Sequence, residues 1–251
     1  MKHDRHRGRW AAAAAITGLA LGALFLWRVL PSGGPVPEGV PTAPPAGEGW
    51  LNLLDAAHAG GWRNITDDAT IFEIQDGTLH IFGKSFYPLR YVAWETERLA
   101  DFELHLEYRV ARRANSGVFL RAQPNDPVHR GFEVQVLDDF GSAPHKRGAG
   151  GIYDVVTPMF NLARPAGEWN SFDIRVAGPH VTVRHNGWLV VQADLSQMTE
   201  PLGKFEIPFA ELPGEGLLML QDHGGAVWYR NIFIRKLPGV ASGSVFPPAA
   251  D

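Results

Sequence analysis

From Gly49 to Leu237 apolar and polar residues alternate with a period of two, the pattern of strands that bury one face. DFELHLEYRV (101–110) puts Phe102, Leu104, Leu106, Tyr108 and Val110 on one side and Glu103, His105, Glu107 and Arg109 on the other. SFDIRVAG, HVTVRH, WLVVQA and VWYRNIFIRKL read as further strands with alternating or fully buried faces. Asn186-Gly187 separates HVTVRH from WLVVQA, and both residues tolerate the positive φ that a tight hairpin turn needs. No amphipathic helix longer than about three turns interrupts the pattern, which predicts an all-β sandwich or barrel.

The pattern changes upstream. Residues 10–27, WAAAAAITGLALGALFLW, carry no charge and lie between Arg9 and Arg28. As a helix such a run spans about 27 Å, close to the hydrocarbon thickness of a bilayer. Lys2, Arg5, Arg7 and Arg9 precede it, which predicts a cytoplasmic N-terminus. A cleaved signal peptide is the rival reading. The run exceeds the usual signal core and no clear A-x-A site follows, so residues 1–30 are read as an uncleaved single-pass anchor. Either way the body is exported, membrane-bound in one case and secreted or periplasmic in the other. Residues 31–48 hold six Pro and four Gly and read as an extended tether. The exported domain covers 49–237, and 238–251 form a poorly ordered tail.

Charge follows the same division. Residues 1–30 carry five Lys and Arg against one acid, whereas residues 31–251 carry 18 against 26. An acidic domain has no basic face for phosphate contacts, which argues against a nucleic-acid partner. The absence of cysteine removes disulfides, thiolate zinc sites, Cys nucleophiles and acylated-Cys anchoring.

Several strands carry polar groups where an outer face should be. GFEVQVLDD (131–139) sends Phe132, Val134 and Val136 inward and leaves Glu133 and Gln135 outside, followed by Asp138 and Asp139. Carboxylates suit acid–base work or sugar hydroxyls, and a solvated sheet face is the plain alternative. Arg121 on the neighbouring run SGVFLRAQ is expected to orient Glu133 through a bidentate pair. GLLMLQDHGG (216–225) lines up Leu217, Met219, Gln221 and His223, and imidazole is the usual base near neutral pH. His105 is read as an ordinary surface residue, although with Glu107 it offers a weak metal or base pair. GAGG (148–151) lacks the ending of a phosphate loop and reads as a mobile loop that brings Tyr153 to a cleft rim. Trp188, beside the Asn-Gly turn, is expected to pack on the sheet rather than stack on sugar.

Together GWLNLLDAAHAGGWRN, NSGVFLR, FEVQVLDD, GGIYDVVTP, GEWN and LQDHG…YRNI form an ordered series over residues 49–237. The series resembles the 3-keto-disaccharide hydrolase domain family. Its opening departs from the family's Leu-Phe-Asp-Gly-Lys, with AAHAG after Leu54-Asp55. The resemblance implies a concanavalin A-like jelly-roll sandwich and action on sugars already oxidised at C3. A C3 ketone acidifies the C2 proton, so a base can remove it and the C1 oxygen can leave, water adding afterwards. On this reading His223 or Glu133 is the base and Arg121 stabilises the enolate, while Gln135, Gln221, Glu107, Tyr153 and Asp138 hold the sugar. A divalent metal could replace Arg121 as electrophile. Two alternatives stand beside it: a non-catalytic carbohydrate-binding module, and a retaining glycosidase using Glu133-x-Gln135-x-x-Asp138, which needs two carboxyls about 5–5.5 Å apart.

Overall fold

The computed structural model of the chain describes Pro45, residues 47–85 and residues 87–239. The expected membrane segment, nearly all of the tether and the tail from residue 240 lie outside the described residues. No helix among the described residues is long and apolar enough to cross a membrane.

The described residues form thirteen strands: β1 (Leu51–Asn52), β2 (Trp62–Asn64), β3 (Phe72–Gln75), β4 (Thr78–Ile81), β5 (Arg90–Leu99), β6 (Phe102–Val110), β7 (Asn115–Ala122), β8 (Phe132–Leu137), β9 (Trp169–Ala177), β10 (His180–His185), β11 (Trp188–Asp194), β12 (Gly216–Asp222) and β13 (Val227–Lys236). They build two antiparallel sheets. The larger runs β11-β10-β9-β6-β13-β4-β3, with β1 also on β13, and the smaller runs β2-β5-β12-β7-β8. The Asn186-Gly187 hairpin forms as its sequence requires, with φ of 49° and 84°.

Alternation sorts the side chains. Phe102, Leu104, Leu106, Tyr108 and Val110 of β6 face Val118 and Leu120 of β7, Phe132, Val134 and Val136 of β8, and Leu218 and Leu220 of β12 across one continuous core. At its centre the Ser116 hydroxyl bonds the Tyr229 hydroxyl of the other sheet at 2.8 Å. The Tyr108 hydroxyl meets His185 Nε2 at 2.9 Å, and full burial pushes that imidazole down to about 3. A second, smaller apolar cluster lies on the opposite face of the five-stranded sheet: Tyr91, Ala93, Phe119, Ala122, Leu217 and Met219. That face is therefore not a plain wet surface, because loops cover it.

Two expectations change at this level. Trp188 does not pack away but stands 46% exposed at the start of the edge strand β11. His105 is not a surface residue. It is buried, and its Nδ1 meets Asp173 Oδ1 at 2.7 Å.

Candidate active site

The covered face of the five-stranded sheet gathers most of the expected polar groups. Cross-strand pairing sets Glu133 opposite Phe119 and Gln135 opposite Gly117. Glu133 is 6% exposed, Gln135 2% and Gln221 3%. Gln135 Nε2 lies 3.3 Å from Asn115 Oδ1, and Asn115 Nδ2 lies 2.9 Å from His223 Nδ1. This orientation makes Nδ1 of His223 an acceptor, so the neutral ring carries its proton on Nε2. Gly117 leaves the space that the Glu133 carboxyl occupies: a Cβ there would come within 2.1 Å of Oε1.

The segment after β8 is tied to the sheet rather than left as a free loop. Gly150 N bonds Gln135 O, Gln135 N bonds Gly151 O, and Tyr153 N bonds Glu133 O. These bonds carry Tyr153 alongside Glu133. Asp154 then accepts from Arg147 Nε at 3.2 Å and from the Lys204 backbone N–H at 2.9 Å. The two cations consequently flank the Tyr153 ring, with Lys204 Nζ 4.5 Å and Arg147 Cζ 5.6 Å from its centroid.

Electrostatics separates the two central titratable groups. Burial pushes Glu133 up to about 8, with the nearby Lys204 charge opposing the shift. His223 is held below the usual imidazole range by burial first and by Lys204 second, with Asp222 opposing. Lys204 is itself lowered by burial, against the pull of Glu133 and Asp154. Tyr91, edge-on to Phe119 at 5.2 Å, is raised to about 12 by burial. Two buried oxygens at this place, Gln135 Oε1 and Gln221 Oε1, have no hydrogen-bond partner within the protein, and the Tyr91 hydroxyl lies against the Gln221 side chain. Buried polar atoms left open in this way are suited to hydroxyl groups of a ligand.

Three expected site residues lie elsewhere. Arg121 sits on a β-bulge. It has φ of 50°, and four residues of β7 (Phe119 to Ala122) span the same pairing as three of β12 (Leu217 to Met219). The bulge takes Arg121 off the Glu133 face. Its Nε donates to Ala100 O at 2.8 Å, Nη1 to Gly178 O at 2.9 Å and Nη2 to Asp101 Oδ1 at 3.0 Å. A cavity of about 310 Å³ opens beside it, lined by Phe132, Leu195 and Phe209 among others, and Glu133, His223 and Lys204 do not border it. Glu107 belongs to the other sheet, where Arg230 Nε donates to it at 2.6 Å and Asn231 Nδ2 at 2.9 Å. Asp138 serves the β6–β7 turn: its Oδ2 accepts from Arg113 N at 2.6 Å and its own N–H donates to Ala114 O. Retaining chemistry therefore finds no second carboxyl for Glu133 at Asp138. Among the described residues no three His, Asp or Glu side chains converge as around a metal ion.

Sequence reasoning missed Lys204, Tyr91, Asn115 and Gly117. NSG within NSGVFLR was a visible signal for the last two. Lys204 and Tyr91 had none, because they arrive from separate stretches of chain.

A two-sheet antiparallel sandwich with polar side chains gathered under loops on one sheet places the described residues among the all-β sandwich domains. Residues 49–235 match the 3-keto-alpha-glucoside-1,2-lyase-like domain family, and the chain belongs to that family. A relative from Bacteroides thetaiotaomicron named 3-keto-disaccharide hydrolase is 27% identical over 236 residues, covering 76% of this chain and 79% of its own. The crystal structure of a Parabacteroides distasonis protein provisionally named a glycosyl hydrolase matches with a TM-score of 0.65 and 27% identity, over 75% of this chain and 99% of that one. A galectin-like protein of unknown function from Bacillus subtilis shares the fold, with a TM-score of 0.51 at 10% identity, over 77% of this chain and 97% of its own.

Proposed function

We propose that this chain cleaves the glycosidic bond of 3-keto-glycosides, 3-keto-disaccharides among them, by elimination across C1–C2 followed by hydration. The observation that carries the proposal is the gathering of Glu133, Gln135, Gln221 and His223 on one covered sheet face, where burial shifts Glu133 up and His223 down. A carboxylate whose conjugate acid titrates near 8 is a strong base for its class, suited to the C2 proton of a ketone. An imidazole kept neutral, with its Nε2–H directed away from Asn115, is a hydrogen-bond donor for the C3 oxygen as it gains negative charge.

The step balances as follows. Glu133 takes the proton from C2, the C–H pair becomes the C1=C2 bond, and the C1–O bond breaks toward the leaving group. The departing oxygen takes a proton from the Lys204 ammonium beside Tyr153. Water then adds its hydroxyl to C1 and gives its proton back to Lys204, while Glu133, its proton exchanged with solvent, protonates C2, giving net hydrolysis and the starting enzyme. Gln135 and Gln221, with their open buried oxygens, hold the sugar hydroxyls, and Tyr91 stands beside Gln221. The family's lyase description fits the first half and the relative's hydrolase name the sum of both halves. Support for export remains the sequence: the charge-free 10–27 run behind a basic cluster and the Pro/Gly tether after it.

The test is turnover of methyl 3-keto-glucoside and a 3-keto-disaccharide by the full chain, with and without chelator. Glu133→Gln is expected to lower kcat/KM by about a thousandfold and His223→Ala by about a hundredfold. The reactive forms are the Glu133 anion and the Lys204 ammonium, so kcat/KM should rise with pH toward about 8 and fall again as Lys204, held below the usual lysine range by burial, loses its proton. Wild-type rates in both variants would refute the assignment, and sugar binding without turnover would favour a carbohydrate-binding module.

A further inference from the structure

The segment that leads into β5, beside Asp222, carries a large exposed aromatic side chain. Tyr87 is 82% exposed, more than any other large hydrophobic residue described. Residues on both sides of it in sequence are tied to the site's elements. The carboxylate of Asp222, itself fully buried between Gln221 and His223, accepts from Lys84 N at 3.3 Å, Ser85 N at 3.3 Å and the Ser85 hydroxyl at 3.1 Å. On the far side Arg90 Nη1 donates to Ser85 Oγ at 2.7 Å and its Nε to Asp67 at 2.7 Å. The next residue, Tyr91, is part of the site floor. Tyr87 therefore lies in sequence between two attachments, Lys84-Ser85 on Asp222 and Arg90 on Ser85, which belong to the elements that carry Gln221, His223 and Tyr91.

Resting on the function proposed above, we infer that Tyr87 is the stacking platform for a ring-shaped leaving group, a second sugar or an aryl ring, seated outward from Tyr153 and Lys204. A pyranose face is apolar and lies flat on an exposed aromatic ring. A methyl leaving group has no such face. The oxidised ring would sit over Glu133 and the leaving ring over Tyr87, with the scissile oxygen between them near Lys204.

The experiment compares kcat/KM for a 3-keto-disaccharide and for methyl 3-keto-glucoside in the full chain and in its Tyr87→Ala, Tyr87→Phe and Tyr87→Trp variants. Alongside, calorimetry follows binding of the corresponding unoxidised disaccharide and methyl glucoside. In Tyr87→Ala the disaccharide-to-methyl ratio of kcat/KM should fall roughly tenfold, while Phe and Trp keep the wild-type ratio. An unaltered ratio in Tyr87→Ala overturns the inference. Should the wild type turn over neither keto-sugar, the function proposal fails by itself. The binding arm then decides Tyr87: loss of disaccharide preference in Tyr87→Ala supports the platform, and retained preference refutes it.

Discussion

At the scale of single residues, the site depends on what is missing at position 117 as much as on what is present at 133. A Cβ at Gly117 would lie 2.1 Å from Oε1 of Glu133, 2.7 Å from its Cδ and 2.8 Å from its Cγ. The obstacle is a side chain and not backbone, so Gly117→Ala should fold and displace the carboxyl. A reacting group moved by about an ångström costs on the order of a hundredfold in rate. We expect kcat/KM to fall by that order in Gly117→Ala while the urea midpoint barely moves, and a wild-type rate would mean that Glu133 is not the base. The alternation of GFEVQV made Glu133 and Gln135 legible in the sequence, and LQDH did the same for Gln221 and His223. Lys204 was not legible: it is brought in by Asp154, fifty residues upstream, through a backbone hydrogen bond that no local pattern announces.

At the scale of elements, β7 explains the main misplacement. Strict alternation puts Arg121 on the side of Phe119, and the bulge at φ of 50° removes it. One extra residue in a strand inverts every side chain beyond it, and sequence periodicity carries no mark of such an insertion. The guanidinium instead joins the β5–β6 and β9–β10 turns through Ala100, Asp101 and Gly178. A lysine reaches one of these partners but lacks the planar fork to hold all three. Arg121→Lys should therefore lose about 2–3 kcal/mol of stability in urea unfolding while keeping the wild-type pH dependence of kcat/KM. A catalytic Arg121 would give the reverse: unaltered stability and an altered profile. The edge after β8 makes a related point. GAGG reads as a loose loop by composition, yet residues 150–153 are hydrogen-bonded along β8 and deliver Tyr153 to Glu133.

At the scale of the whole molecule, the all-β sandwich was legible because period-two alternation, Asn-Gly turns and the lack of long helices agree. Which sheet carries the chemistry was not. DFELHLEYRV and GFEVQV both offer acids on an outer face, and alternation treats them alike. Burial by loops distinguishes them. Glu107 is paired with the Arg230 guanidinium and accepts from the Asn231 amide on the larger sheet, whereas Glu133 lies under the Tyr153 and Lys204 segments with its titration pushed up to about 8. The central claim is that the C2 proton leaves during bond cleavage. Turnover of a 3-keto-disaccharide by the full chain in D₂O, with enzyme-free and Glu133→Gln samples as controls for spontaneous exchange, tests it most directly. The account predicts one deuterium at C2 of the released 3-keto-glucose, formed at the rate of cleavage and lost with Glu133. Cleavage that leaves C2 unlabelled beyond the controls would contradict it.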